Sequence, residues 1–166
     1  MTTTEESIRV DLRTITEKVG CRAFLSANQE NIASAGWTKV NLDSLTYDLG
    51  NNFDESVNYR FTAPVSGLYI IIGAVSFLDT SVIADKSYAV AVYKNNASIS
   101  QAFVHASYAG YVSAKVADEL FLKKDDYVEL FVYTDAAGNA VDVYGEASGI
   151  NTFLVVRLIT KEGIRQ

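Results

Sequence analysis

Residues 51–78, NNFDESVNYRFTAPVSGLYIIIGAVSFL, decide the fold of this 166-residue chain. They contain its single proline, Pro64, in the run Ala63-Pro64-Val65-Ser66-Gly67. Proline presets φ at the first central position of a turn, and glycine accepts backbone conformations that are closed to other residues. The run therefore predicts a tight turn with a β-strand on each side.

The strand that follows this turn, residues 68–77, is apolar on both of its alternating faces. One face carries Tyr69, Ile71, Val75 and Phe77, and the other carries Leu68, Ile70, Ile72 and Ala74. A strand in an isolated antiparallel sandwich should turn one polar face to water. We therefore expect a second cover over this strand, supplied by another subunit.

Size and composition predict a single all-β domain. A mass of 18.1 kDa is enough to bury a core without disulfides or a metal. The chain is 49% hydrophobic, with 10 Tyr, 8 Phe and 20% charged residues, a composition that favours strands over disorder. The one cysteine, Cys21, cannot form an internal disulfide and is expected to be a packed, unreactive thiol.

Charge and hydropathy exclude several classes of partner. The net charge of −6, without any block of basic residues, argues against nucleic acid as a partner. No apolar run approaches the roughly 20 residues of a membrane-spanning helix, so no membrane insertion is expected. Residues 1–6, MTTTEE, lack the basic and apolar regions of a signal peptide, and Sec export is not expected.

The first 20 residues differ in character from the rest, because they contain no aromatic residue and end in glycine. Thr3 and Glu6 have the spacing of a helix capping box. We favour a short helix, whose apolar seam would consist of Ile8, Leu12, Ile15 and Val19. A strand is the alternative, since apolar and charged residues alternate over 8–13. Either element is too short to be stable alone, so the segment is expected to act as an anchor or stalk.

From residue 21 onward the pattern is one of short strands separated by turns. Strands are predicted at 21–27, 37–42, 58–62, 68–78, 88–94, 98–106, 111–122, 127–134 and 152–159, with a short edge strand at 141–144. Asn95-Asn96 predicts a two-residue hairpin, and the strands on either side of 123–126 are predicted to pair. The result is an antiparallel jelly-roll sandwich of about ten strands, covering 21–160, followed by a charged tail at 161–166.

The strand at 127–133 carries a second set of aromatic residues. Val128, Leu130 and Val132 are typical of a sandwich core. The alternate face is a strip that could stack on sugars, but we favour a subunit contact. The predicted trimer contacts are Tyr69, Ile71, Phe77, Tyr127, Phe131, Tyr133 and Phe153, and the candidate ligand contacts are Trp37, Tyr108 and Tyr111. Trp37, near a loop end, has the alternative role of capping the edge of the core.

Catalytic and metal-binding patterns are missing from the sequence. His105 is the only histidine and belongs to no catalytic motif, and one His with one distant Cys cannot build a metal site. The glycines stand singly at turns rather than in a phosphate-binding loop. Adjacent carboxylates, as in Asp125-Asp126, point apart on a strand or turn. We expect no enzyme, no cofactor and no metal.

Several stretches resemble the globular-head domain of the complement first-component q-subcomponent family, among the tumour-necrosis-factor-like jelly rolls. The resemblance covers about residues 22–159. It rests on Ala23-Phe24, Thr38-Lys39-Val40, DLGNNFD at 48–54, FTAPVSGLY at 61–69, Val92-Tyr93-Lys94-Asn95 and LKKDDYV at 122–128. It implies a ten-strand jelly roll that forms a compact trimer and acts by binding rather than by catalysis.

Four positions depart from the family pattern. Asp125 and Thr152 stand where the family usually has glycine, while Glu129 and Ile71 stand where it often has an aromatic residue. Some relatives bind calcium near the trimer axis, but no acidic cluster of this chain matches a calcium loop.

These observations favour a structural protein of a virus particle, such as a bacteriophage head-decoration, knob or fibre-tip protein. Its expected partners are two further copies of the chain and other virion proteins, such as a capsid or a fibre shaft. A host-surface glycan is a further candidate ligand. The alternative is a secreted recognition module that binds carbohydrate or protein through its apical loops.

Overall fold

The computed structural model describes residues 18–136, 138 and 140–163. This part of the chain contains thirteen β-strands, one short 3-10 helix at Asp79–Ser81 and no α-helix. The strands are β1 (Gly20–Phe24), β2 (Gln29–Ile32), β3 (Trp37–Lys39), β4 (Ser44–Leu49), β5 (Phe53–Asp54), β6 (Arg60–Thr62), β7 (Gly67–Phe77), β8 (Lys86–Lys94), β9 (Ala97–Ala106), β10 (Val112–Leu122), β11 (Tyr127–Thr134), β12 (Val141–Val143) and β13 (Phe153–Lys161). The predicted all-β class is confirmed.

The strands form two antiparallel sheets that pack face to face. In the seven-stranded sheet β10 pairs with β7, and the order continues through β13 and β1 to β4, while β12 and β2 extend the sheet beside the end of β7. The six-stranded sheet has the order β5-β6-β11-β8-β9, and β3 also pairs with β11. This two-layer arrangement is a jelly-roll sandwich, as the sequence predicts.

The core lies between the two sheets and is filled by alternate residues of their strands. From β7 it receives the set that begins with Tyr69 and Ile71, and from β11 it receives Leu130 and its neighbours. The ring of Phe77 packs at a tilt of 60° against that of Tyr88 of β8, with a centroid distance of 4.8 Å, and this contact joins the two sheets at one end of the sandwich. Large side chains therefore cross the interior from both layers.

The stretch around Pro64 does connect two strands, but it does so between the sheets. β6 belongs to the six-stranded sheet and β7 to the seven-stranded sheet. Gly67 does not have a positive φ. A Cβ atom at this position would overlap the carbonyl oxygen of Thr160 on β13. The glycine is therefore required by the close approach of β13, and not by the backbone conformation that the sequence suggests.

The hairpin at Asn95-Asn96 is confirmed. Both residues have positive φ, 49° and 69°, and the turn joins β8 to β9, which pair along their length. Positive φ at both central residues is typical of a type I′ turn, whose twist matches the twist of the flanking strands. Asparagine tolerates the left-handed conformation better than most residues, which explains its presence at both positions.

The predicted pairing of the strands on either side of residues 123–126 is wrong. β10 pairs with β7 over its whole length, whereas β11 pairs with β8, β6 and β3 in the other sheet. The four-residue connection has the length of a hairpin loop, but it is held to the Pro64 stretch instead. The N–H of Asp125 donates to the carbonyl of Ala63, and the N–H of Ala63 donates to the carbonyl of Asp126, both at 2.8 Å.

Smaller differences concern strand number and position. β2, β4 and β5 fall in stretches where no strand is expected, because their sequences are polar and short. β12 is not an edge strand, since it lies between β2 and β7. The remaining predicted strands are confirmed, and their ends differ from the prediction by at most three residues.

The first strand begins one residue before residue 21, the position at which the jelly roll is predicted to start. β1 begins at Gly20, and Val19 packs against the core while its carbonyl accepts a hydrogen bond of 3.0 Å from the N–H of Leu158. At the other end β13 continues to Lys161. The helix or strand predicted for the first residues, and its seam residues Ile8, Leu12 and Ile15, lie outside the described residues. In the described part, no helix is long and apolar enough to cross a membrane.

Candidate functional site: the two outward sheet faces

The outward face of the seven-stranded sheet is apolar at its centre. β7 contributes Leu68, Ile70 and Ile72 there, and Ile70 keeps 36% of its surface exposed. Neighbouring strands extend this surface, which we call the apolar face. Its members are Leu68, Ile70, Ile72, Ala117, Phe121, Phe153, Val155 and Ile159.

Charged residues border the apolar face. Ile70 pairs with Glu119 on β10 and with Arg157 on β13, so that a carboxylate and a guanidinium lie in one row on either side of an isoleucine. Neither side chain has a hydrogen bond or ion pair with the described residues. Arg157 also borders a shallow depression at the β1 and β4 side of this face, whose other lining residues are Gly20, Tyr47 and Leu49.

Arg22 and Phe153 close one side of the apolar face. The guanidinium of Arg22 lies 4.4 Å from the ring centroid of Phe153. It also donates to the hydroxyl of Thr46 at 2.9 Å and to the carbonyl of Gly149 at 2.5 Å. These bonds hold the arginine within its own chain, so it does not need a hydrogen-bond partner from another chain.

The outward face of the six-stranded sheet carries a cluster of five aromatic rings, which we call the aromatic face. Neighbouring ring centroids lie 4.0 to 6.2 Å apart. The rings belong to Trp37 of β3, Tyr93 of β8, Phe103 of β9, and Phe131 and Tyr133 of β11. They lie over the outward residues Ala89 and Ala91, which are completely buried.

An ion pair lies at the edge of the aromatic face. The Nζ of Lys39 is 2.5 Å from the Oε1 of Glu129. Glu129 is buried, and on β11 it pairs with Tyr93 of β8. Partial burial raises the pKa of Tyr93 above its ordinary value of about 10.

The predicted trimer contacts fall in three different places. Tyr69, Ile71 and Phe77 are completely buried in the core of a single chain, which corrects their assignment to a subunit contact. Both faces of β7 are apolar in the sequence, and the structure shows that the outward one carries Leu68, Ile70 and Ile72 instead.

The other predicted contacts do reach the surface, but on opposite sides of the molecule. Phe153 lies on the apolar face. Tyr127, Phe131 and Tyr133 lie on the outward side of the six-stranded sheet, where Arg60 covers the ring of Tyr127 at 4.2 Å. One continuous surface of a single chain therefore cannot contain both Phe153 and the three aromatic residues of β11.

The three candidate ligand residues are separated in the same way. Trp37 is part of the aromatic face. Tyr108 and Tyr111 are exposed in the loop between β9 and β10, and no ring contact joins either of them to Trp37 in the described part of the chain. Tyr93 and Phe103 are the members of the cluster that the sequence analysis missed. On β8 Tyr93 follows the buried Val92, and on β9 Phe103 lies between the partly buried Ala102 and Val104. This alternation is visible in the sequence and could have identified both rings.

The remaining reactive groups do not form a site. Cys21 is buried, and burial together with the charge of Asp48 raises the pKa of its thiol far above the ordinary value. His105 is exposed on β9. Among the described residues, no three His, Cys, Asp or Glu side chains are grouped so that they could hold a metal ion.

Comparison with solved structures finds this architecture in other proteins. The Eiger TNF of S. frugiperda matches with a TM-score of 0.65 and 13% identity, over 90% of this chain and 98% of that one. The globular domain of zebrafish complement 1qA matches with a TM-score of 0.62 and 14% identity, over 87% of this chain and 100% of that one. Murine APRIL at pH 5.0 matches with a TM-score of 0.61 and 12% identity, over 86% and 99%.

This chain has the tumour-necrosis-factor-like jelly-roll fold. The fold that the sequence resemblance implies is thus confirmed. No protein-family model and no curated protein sequence matches the chain. At identities of 12 to 14%, the likeness shows the fold alone.

Two of the departures from the family pattern have a structural explanation. Asp125 has φ 71°, so it occupies a left-handed position that glycine fills more easily. The hydroxyl of Thr152 donates to the carbonyl of Tyr144 at 2.7 Å and accepts from the N–H of Ser76 at 3.2 Å. The threonine thus satisfies two backbone groups between β7 and the end of β12, which glycine could not do.

Proposed function

We propose that the protein is a non-catalytic homotrimer that acts by assembly and binding. The observation that carries this proposal is the apolar face of the seven-stranded sheet. Its central strand, β7, is apolar on both sides, although only one side is covered by the core of its own chain. Burying a large aliphatic side chain contributes about 1.5–3 kcal/mol, so a second cover over this face is strongly favourable.

The charges beside Ile70 support a contact between copies. Glu119 and Arg157 have opposite signs and lack partners within the described residues of the chain. In a closed ring each subunit presents one surface to the next and a different surface to the previous one. Such a contact can bring the arginine of one copy to the glutamate of another. The number three comes from the family that the chain resembles.

The oligomer is tested by placing a charge on the apolar face. Ile70→Glu would bury an unpaired carboxylate in the contact, which is too costly for association. We expect a folded monomer by light scattering, whereas the unaltered protein should have the mass of a trimer. Ile99→Glu is the matched control, because Ile99 has 37% exposure against 36% for Ile70 but lies on β9 of the other sheet. It should remain trimeric.

Circular dichroism of both variants shows whether each one folds. A monomeric mass for the unaltered protein at micromolar concentration would rule out the assembly. Equal masses for the two variants would place the contact elsewhere.

The setting that we propose is a virus particle, in which the chain serves as a head-decoration, knob or fibre-tip protein. Supporting this is the separate composition of the first 20 residues, whose predicted apolar seam would suit docking on a capsid or fibre-shaft protein. The jelly roll also needs no disulfide, since its single cysteine is buried and free. Such a domain can be assembled in the reducing cytoplasm of a host cell.

Mass spectrometry of purified particles from the source tests this setting. The chain should be present as a stoichiometric component. Particles that lack a decoration protein should be less resistant to heat, whereas particles that lack a fibre tip should be intact but fail to adsorb. If the chain is absent from particles and found in the medium, it is the secreted recognition module, the second candidate, which the exposed Tyr108 and Tyr111 favour.

A further inference from the structure

We propose that the aromatic face of the six-stranded sheet is a binding site for a neutral saccharide. This inference rests on the proposed role as a binding module, but it does not rest on the trimer. It places the ligand on the outward face of the six-stranded sheet and not at loops such as the one between β9 and β10.

The rings form an uneven aromatic surface. The planes of Trp37 and Tyr133 are tilted by 44° at a centroid distance of 5.5 Å, and those of Trp37 and Phe103 by 75° at 6.1 Å, so the surface presents both ring edges and ring faces. Phe103 is 56% exposed and forms the open side of the cluster. A pyranose has an apolar face of C–H groups, which packs on aromatic rings, and hydroxyls around its edge. This surface offers both kinds of contact.

Three polar ring atoms supply the contacts for hydroxyls. The Nε1 of Trp37 and the hydroxyls of Tyr93 and Tyr133 make no hydrogen bond with the described residues. All three atoms are accessible to water. Tyrosine and tryptophan combine an apolar body with a polar tip, and these tips normally find a partner. Ligand hydroxyls can replace the water at each of them.

The charges at this face specify a neutral ligand. Lys39 and Glu129 neutralise each other at its edge through their 2.5 Å ion pair. On β8 and β9 the outward neighbours of the rings are Ala91, Gln101 and the exposed His105. Among the described residues of this cluster an anionic ligand would find no lysine without a partner, and a cationic ligand would find no carboxylate without one, because Lys39 and Glu129 are paired. A neutral, hydroxyl-rich molecule is therefore the best complement to the surface.

A second copy of the chain fits this face less well. An apolar partner surface would cut the three unpaired donors off from water, and each buried donor without a partner costs about 1–3 kcal/mol. On the apolar face of the opposite sheet the donor beside Ile70 that has no partner among the described residues is Arg157, which Glu119 of a neighbouring copy can satisfy, so that face is the better surface for assembly.

Trp37 makes the proposal directly testable, because it is the single tryptophan of the chain. The full-length protein is first screened on an array of neutral, sialylated and sulfated oligosaccharides. Each neutral oligosaccharide that binds is then titrated while the tryptophan emission is recorded. We expect binding to neutral members of the array and a saturable change in emission.

Variants then locate the site. Phe103→Ala should weaken binding about tenfold through loss of a stacking surface. Tyr133→Phe should weaken it about threefold to tenfold, because one donor is removed while the ring remains. Tyr108→Ala, at an exposed position in the β9–β10 loop, is the control and should leave the affinity unchanged.

Three outcomes would overturn the saccharide site. The first is an array without any neutral binder. The second is binding that Tyr108→Ala abolishes while Phe103→Ala does not affect it, because the ligand then sits at the loops. The third is a change of mass in light scattering for Phe103→Ala, because the aromatic face is then a contact between copies. A monomeric mass of the unaltered protein would contradict only the trimer.

Discussion

At the level of single residues, Asp125 shows how a non-glycine residue fills a left-handed position. Its φ of 71° places it in a region that costs an ordinary residue about 1 kcal/mol or more, and aspartate less. Asp125→Ala should therefore lower the free energy of unfolding by about 1 kcal/mol, while Asp125→Gly should leave it unchanged or higher. Urea denaturation of both variants measures the difference. Equal loss in the two would mean that the carboxylate, and not the backbone, is what matters.

The neighbouring Asp126 links three parts of the chain through its carboxylate. Its Oδ2 accepts hydrogen bonds of 2.8 Å from the Nζ of Lys94 and from the N–H of Lys123, and its Oδ1 accepts one of 2.7 Å from the Nδ2 of Asn95. Partial burial acts to raise the pKa of Asp126, but the bonds from Lys94, Asn95 and Lys123 outweigh it and lower the pKa to about 2.

This lowered pKa predicts an acid-dependent loss of stability. A carboxylate whose pKa is lower in the folded state stabilises the fold above its unfolded value of about 4, and this contribution disappears as the pH falls towards 2. Asp126→Asn should cost about 1 kcal/mol at pH 7 and nothing near pH 2. Thermal unfolding between pH 2 and 7 tests this, with the exposed Glu55→Gln as the control. A difference that persists at pH 2 would contradict the assignment.

At the level of elements, β7 is held close to β11 by a glycine on its inward side. A Cβ at Gly73 would lie 2.6 Å from Cδ1 of Leu130 and 3.2 Å from Cγ1 of Val116, and Leu130 is itself completely buried. Gly73→Ala should therefore lower the free energy of unfolding by about 1–3 kcal/mol. The control is Gly36→Ala, where nothing lies within 4 Å of the new atom.

A double-mutant cycle shows whether the clash is the cause. Leu130→Val removes the δ-carbons, so Gly73→Ala should cost less in that background than in the unaltered protein. Equal costs in the two backgrounds would mean that the added methyl group is accommodated elsewhere.

The strands themselves were largely predictable, and the limits of that prediction are physical. Alternation located β7, β8, β9 and β11, but it could not say which apolar face of β7 is the core, because both faces have the same character. The rows Glu119–Ile70–Arg157 and the five-ring cluster depend on pairing between distant strands. A single strand's sequence contains no information about its partner, so neither surface could be assembled from the sequence.

At the level of the whole molecule, the sandwich presents surfaces of two different kinds on its two sides. The apolar face has aliphatic residues at its centre and unpaired charges beside them. The aromatic face has rings with free polar tips and a neutralised ion pair. Because they belong to different sheets, an assembly that covers the first can leave the second free. This separation lets one small domain both assemble and bind.

We also expect the N-terminal segment, residues 1–17, to be dispensable for folding. Val19 packs against the core and bonds to Leu158, so the jelly roll needs the chain from residue 18 onward. Deleting 1–17 should leave the melting temperature and the trimer mass unchanged but abolish co-sedimentation with particles. Deleting 1–24 should instead prevent folding, because β1 lies between β13 and β4, and its loss leaves β4 without a partner and exposes one edge of β13. If the shorter deletion lowers the melting temperature or the mass, the segment is part of the sheet or of the trimer contact.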